Sequence, residues 1–254
     1  MRQIMNNIHF IKGNIFLTEL QTIVNTVNSV GIMGKGIALI HRLRCPEMFE
    51  KYREYCDQGL LTVGKLMLYD KTQNNSPWIL NFPTKIHWKN PSKIEYIELG
   101  LQKFVSTYKA KQITSIAFPM LGTGLGGLDV GEVRDLMTSY LSKCDIPVEI
   151  YEFDPDAPDG IYDEFKARWN NIPGSRIKEL THISDKQIEA VNYALNIPGI
   201  NSMDKLIEFD GIGFKTIEKC YRFVMTYPGN NIFCNSRVPK IPRSQGPKAP
   251  RQLI

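Results

Sequence analysis

Asn25 to Ala38 reads NTVNSVGIMGKGIA, and this stretch decides the fold. Ile23, Val24 and Val27 predict a strand. Gly31, Gly34 and Gly36 then let the backbone turn sharply and bring its N–H groups against an anion. Ile37 to Leu43 reads as a helix whose positive end stands behind the same anion. A strand that enters a helix through a glycine loop is the building unit of an open α/β sheet, and such sheets bind ligands beyond the carboxyl ends of their strands. The run is not a Walker loop, because Lys35 sits between Gly34 and Gly36 with no Ser or Thr after it to hold Mg²⁺. Its spacing also departs from GxGxxG, in which the preceding asparagines have no role. Asparagine at a strand end does suit a sugar, since the amide both donates to and accepts from vicinal hydroxyls. Alone, the run also fits a plain glycine-rich turn.

A second loop points the same way. Ile113 to Phe118 reads as a buried strand and runs into PMLGTGLGGLD, with Gly122, Thr123, Gly124, Leu125, Gly126 and Gly127 ahead of a helix from Val130 to Leu141. Two such loops can close on a diphosphate from opposite sides. Further strands are expected at Ile8 to Lys12, Thr22 to Val27, Lys65 to Tyr69, Trp78 to Phe82 and Val148 to Phe153. Between them, Ile94, Ile97, Leu101, Phe104, Val105 and Tyr108 share one helical face. Pro46 opens another helix, to about Asp57, at the position where proline is best tolerated.

The 254 residues allow one full core and a small second unit. No apolar run approaches the roughly 18 residues of a membrane span, and MRQIMNNIHFIKGN lacks a signal peptide's apolar core, so a cytoplasmic location without membrane contact is expected. The five cysteines lack CxxC spacing and the four histidines are scattered, so neither a disulfide framework nor a metal site is expected. The net charge of +5 resides in one place: no acidic residue follows Glu218, and Arg237, Lys240, Arg243, Lys248 and Arg251 account for the excess of 31 basic over 26 acidic residues.

Four segments follow from these patterns. Residues 1–155 form an α/β unit, and 156–178 a Pro- and Gly-punctuated linker with one short helix from Ile161 to Trp169. Residues 179–228 form a small all-α domain, and 229–254 a basic tail whose composition argues for disorder. Ser184 is expected to cap a helix running to about Leu195. Met203 to Phe209, then Asp210-Gly211-Ile212-Gly213, then Phe214 to Met225 resembles a helix-hairpin-helix, in which Gly211, Gly213 and Lys215 would meet a DNA phosphate. Ile197-Pro198-Gly199-Ile200-Asn201 looks like a degenerate copy, with Asn201 in a left-handed conformation at the second glycine. A helical protein-interaction module is the other reading of this domain.

The strand-NTVN-glycine loop, the GTGLGG loop and the α/β alternation together resemble a macrodomain, the ADP-ribose-binding module: a three-layer α/β/α fold with a mixed sheet. KGN at Lys12 to Asn14, VGIMGKGIAL, and NFPTKIHW at Asn81 to Trp88 look most like the DarG antitoxin branch, whose members remove ADP-ribose that a DarT toxin attaches to thymidine in DNA. The resemblance implies ADP-ribose and ADP-ribosylated DNA as ligands, a DarT-like toxin as partner, and no cofactor. It implies that Asn14 lies near the adenine amino group with Phe153 as a neighbour, that Asn28 contacts the distal ribose, and that Ile15 and Thr84 also bind ADP-ribose. Gly34, Lys35, Gly36 and Ile37, with Gly122 to Gly127, would hold the diphosphate through backbone N–H groups, and Gly31 belongs to the same ADP-ribose-binding set. Lys85 would attack the anomeric carbon, its amine activated by desolvation or by a nearby cation such as Lys35. Asp129 would shuttle protons, although it fits a helix N-cap equally well. A non-enzymatic reader, or a hydrolase of a protein ester or of ADP-ribose 1″-phosphate, are the alternatives.

Overall fold

A computed structural model describes residues 7–70 and 76–226. They form two compact units that divide between Phe153 and Asp154. The basic tail lies outside the described residues.

In the first unit, β1 (Ile8–Gly13), β2 (Thr22–Asn28), β3 (Met67–Tyr69), β4 (Trp78–Lys85), β5 (Ile116–Pro119) and β6 (Val148–Phe153) form one sheet in the order β1-β6-β5-β2-β4-β3. Every pairing is parallel except β3 with β4, so the sheet is mixed. The helices are α1 (Gly36–Arg44), α2 (Pro46–Asp57), α3 (Ile94–Thr107) and α4 (Val130–Leu141). Strand residues alternate between two faces. Val24, Leu80, Phe82 and Phe118 pack with Ile97, Leu101 and Phe104 of α3 and Val133, Met137 and Leu141 of α4. Val27 and Ile79 face the other way, against Ala38, Met48, Phe49 and Tyr52 of α1 and α2. Helices therefore cover both faces, the three layers that the alternation implied.

The same periodicity separates the two asparagines of NTVN. Asn25 is fully buried and donates to Asn81 Oδ1 on β4 at 2.9 Å, while Asn81 donates to the Met48 sulfur at 3.3 Å. Only Asn28 stands at the strand end.

Strand β4 runs three residues beyond the expected Phe82, through Pro83. It can do so because β3 pairs only with Ile79 to Asn81, which leaves the strand's outer edge open where proline has no N–H to give.

The second unit holds α5 (Tyr162–Asn170), α6 (Gly174–Thr181), α7 (Asp185–Leu195), α8 (Met203–Glu208) and α9 (Phe214–Thr226). The expected linker is thus not a linker. Phe165 and Trp169 of α5 are fully buried and meet Phe223 of α9 edge-on, with ring centroids 6.1 and 5.7 Å apart. The short helix expected from Ile161 to Trp169 is present as α5, and it is its packing into the second unit that differs from the expectation. Ser184 caps α7 in a full capping box with Gln187. Gly199 and Gly211 take positive φ, +93° and +88°, but Asn201 and Gly213 do not. The left-handed conformation expected at Asn201 is therefore absent, and the two hairpins match at the first glycine.

His41 of α1 is buried beneath Phe16, ring centroids 4.8 Å apart, and its Nε2 has no hydrogen-bond partner among the described residues. Burial, and secondarily the Arg44 charge, lower its pKa to about 3. Because the folded pKa lies below the ordinary 6.5, the unfolded chain binds the extra proton. Stability contributed by neutral His41 is complete above pH 6.5 and is lost toward pH 3, with a slope of about 1.4 kcal/mol per pH unit. Urea titrations between pH 7 and 4 should show an acid limb shallower by one proton in His41→Leu, and parallel limbs would refute the assignment.

Candidate functional site

The site lies where the parallel strands end together. Strands β2 and β5 pair only through Thr22–Ile116 and Ile23–Ala117. Beyond Ile23 they part, and the opening sits between the two glycine loops.

The first loop is held by Asn28. Its side-chain oxygen accepts from the N–H groups of Val30 (3.0 Å) and Ile32 (3.3 Å), and its Nδ2 donates to the Ile32 carbonyl at 2.5 Å. The buried Tyr52 hydroxyl donates to Asn28 O at 2.8 Å and lies 3.1 Å from its Oδ1. Asn28 thus shapes the first loop from the end of β2. Tyr52 is legible in the sequence as the buried edge of α2, but its hydroxyl's partner is not. Gly31 and Gly36 have φ of +76° and +58°. Lys35 is exposed and precedes α1 without a side-chain cap. The N–H groups of Gly34, Gly36 and Ile37 find no acceptor among the described residues.

In the second loop Gly122 and Gly127 have φ of +71° and +78°. A Cβ on Gly126 would stand 2.1 Å from the Gly122 carbonyl oxygen. Thr123 donates its hydroxyl to Met120 O at 3.1 Å, and Ser92 donates its backbone N–H to Gly126 O at 2.9 Å. The N–H groups of Gly124, Leu125 and Gly126 find no acceptor among the described residues. Both loops therefore present unpaired backbone donors, which suits an anion. Ser92 was invisible to motif reading, because its tie to Gly126 is a long-range backbone bond.

The loops meet over the end of β2. The Leu125 side chain lies 3.4 Å from the position a Cβ on Gly36 would take. Lys85 Nζ reaches from β4 to donate to Leu125 O at 2.5 Å. A bulge makes this reach possible. The β2–β4 register runs Val27 with Pro83, then Asn28 with Lys85, so the buried Thr84 is the extra residue and Lys85 is turned toward Asn28. Desolvation lowers the Lys85 pKa below the ordinary 10.5. The Lys35 charge is no part of that cause.

Asp129 caps α4, accepting from Glu132 N at 2.9 Å. Asn14 is buried and caps the 3-10 turn Ile15–Leu17, its side-chain oxygen 3.1 Å from Phe16 N. Ile15 is buried beside Ile23, Ala117 and Tyr151. Phe153 ends β6 opposite Gly13 and is 64% exposed, so it is a rim residue and not a core one. Among the described residues no cluster of His, Cys, Asp or Glu could hold a metal, and no helix is long and apolar enough to cross a membrane.

A mixed, doubly covered sheet with two glycine loops over its switch point defines a class of anion-binding α/β modules. The family model for the macro domain matches residues 24–137, and the chain belongs to the macrodomain family. It is 42% identical to the macrodomain of Mycobacterium tuberculosis DarG, with a TM-score of 0.55 over 57% of this chain and 96% of that one. The structure of Thermosipho africanus DarTG in complex with ADP-ribose aligns with a TM-score of 0.56 at 39% identity, over 60% of this chain and 43% of that one. A DNA ADP-ribosyl glycohydrolase of Thermus aquaticus is 38% identical over 149 residues, 58% of this chain and 41% of the relative. The match thus spans about two fifths of the length of these curated relatives.

Proposed function

We propose that this chain is an ADP-ribosyl glycohydrolase that releases ADP-ribose from a thymidine base of DNA and so reverses the work of a DarT-like toxin. The observation that carries the reading is Lys85, a partly desolvated amine spanning from the end of β4 to the second glycine loop. Similarity to proteins named DNA ADP-ribosyl glycohydrolase, one of them fused to a DNA ADP-ribosyl transferase, supports it. In this reading the diphosphate takes the unpaired N–H groups of both loops, the distal ribose sits between Asn28 and Lys85 with Thr84 beneath, and the adenine lies toward Asn14, Ile15 and Phe153.

The neutral amine of Lys85 attacks the anomeric carbon, and the base leaves with the electron pair of the glycosidic bond and takes up a proton. The ring oxygen then accepts the electron pair of its own bond to that carbon, together with a proton, leaving an iminium on Lys85. Water adds, the carbon–nitrogen bond to lysine breaks, and ADP-ribose and free amine are regenerated. Asp129 would supply and collect these protons through the carboxylate oxygen that does not cap α4.

The test is release of free ADP-ribose from three substrates: a thymidine-modified oligonucleotide, an ester-modified protein and ADP-ribose 1″-phosphate. Release from the oligonucleotide alone is expected. Turnover of only the ester or the phosphate would replace the reading with another linkage, and tight binding without turnover would make the chain a reader.

DNA contact by the second unit is part of the proposal. Gly211, Gly213 and Lys215 are all exposed at the hairpin that leads into α9, and a helix start suits a phosphate. Gly213 offers a clean probe, since its φ is ordinary and a Cβ there would meet nothing within 4 Å. Gly213→Ala should unfold at the wild-type temperature yet bind duplex DNA several-fold more weakly, its methyl keeping the phosphate away. Unchanged affinity in a filter-binding titration would favour a protein-interaction role for the hairpin.

A further inference from the structure

Beyond Lys85, the turn after β4 has no role in this reading. From Lys85 to Lys93 the sequence is KIHWKNPSK, with three lysines, one histidine and no carboxylate. Both ends are pinned to the glycine loops. Ser29 of the first loop donates its N–H to Ile86 O at 3.0 Å, and Ser92 donates to Gly126 O of the second at 2.9 Å. A further bond, Asn90 N to His87 O at 3.1 Å, closes the turn around Trp88 and Lys89.

This bracing holds a large aromatic at the mouth of the site. Trp88 is 49% exposed, its ring packed against His87 with centroids 5.6 Å apart at 26°. Lys89 Nζ lies 5.2 Å from the same ring. Trp88 is three chain steps from Lys85, at most about 11 Å fully extended. Ile86 and Ile32, each nearly half exposed, continue the apolar rim. Across both glycine loops and this turn, Lys35, Lys85, Lys89 and Lys93 stand against one carboxylate, Asp129.

An exposed ring flanked by lysines, with Asp129 the one carboxylate of the loops and turn and Glu95 the next beyond Lys93, suits a chain of stacked bases and phosphates better than an acidic peptide. A duplex cannot offer a base face to a ring at its surface, whereas a single strand can. We propose that the Trp88 turn is a stacking lip for single-stranded DNA, on which a base next to the modified nucleotide lies against Trp88 while Lys89 and Lys93 take the adjoining phosphates. The proposal rests on the reading of DNA as substrate, but its test does not depend on turnover.

The full chain is titrated against a short, unmodified, fluorescently labelled single strand by anisotropy, and against free ADP-ribose in parallel. Trp88→Ala should weaken the strand about tenfold, the scale of one lost base–aromatic stack, with ADP-ribose affinity held. Trp88→Phe should recover most of the loss, and Lys89→Gln should lower the slope of log affinity against log salt by about 0.7. Equal strand affinity in Trp88→Ala and wild type would overturn the proposal. So would parallel loss of strand and ADP-ribose, or no strand binding by the wild type. A wild type that binds the strand through Trp88 but releases no ADP-ribose from modified DNA would sink the glycohydrolase reading and leave the lip intact.

Discussion

Lys85→Ala is expected to lose release of ADP-ribose from modified DNA by about three orders of magnitude or more, the scale on which removal of a nucleophile acts. Its affinity for free ADP-ribose should stay within about threefold, because the diphosphate is held by the N–H groups of both loops and the substitution removes only one brace on the second, the bond to Leu125 O. Lys85→Arg sharpens the test. Guanidinium keeps the charge and the reach toward Leu125 O, but it does not deprotonate and cannot attack. If Lys85 acts as an electrostatic anchor, arginine rescues turnover; if it acts as the nucleophile, arginine is as inactive as alanine. The pH profile gives a second handle. Attack requires the neutral amine, so kcat should rise with pH to a plateau whose inflection lies below the ordinary lysine value of 10.5, since desolvation lowers it. Wild-type turnover by Lys85→Ala in a discontinuous assay of released ADP-ribose would refute the covalent route.

The second large effect belongs to Gly126→Ala. A Cβ there would lie 2.1 Å from the Gly122 carbonyl oxygen and 2.5 Å from Ser92 Oγ. The first of these neighbours is backbone and cannot turn away. The loop must open, and with it go the N–H groups it presents. Loss of two hydrogen bonds to a charged phosphate, at about 1.5 kcal/mol each, corresponds to about 100-fold weaker ADP-ribose binding. Some loss of thermal stability should accompany it, because Ser92 also ties to this glycine. Gly124→Ala is the control, since a Cβ there meets nothing within 4 Å and φ is ordinary. Calorimetric titration with ADP-ribose should separate the two variants, and equal affinities would show that the second loop does not hold the diphosphate.

Much of the architecture is legible in the chain because it follows from local periodicity. The helix begun by Pro46 ends at Asp57 as expected, and Ile97, Leu101, Phe104 and Tyr108 form the buried face that their spacing indicates. Ser184 caps α7 because a Ser three residues before Gln187 makes the capping box. Local punctuation misleads where packing overrides it. The prolines and glycines around 154–175 read as a linker, yet α5 buries Phe165 and Trp169 against α9.

The site shows the same division. That two glycine loops would leave a strand for a helix, and that each would present backbone donors, was determined by residue type and order alone, because glycine spacing acts locally on φ and on N–H direction. Which residues face one another across the opening was decided by the tertiary structure. The bulge at Thr84 sets Lys85 beside Asn28, Tyr52 holds the Asn28 amide from a neighbouring helix, and Leu125 O receives the lysine from across the end of β2. Each of these depends on register between strands far apart in the chain, and register is fixed by the packing of whole faces, which a single segment does not contain.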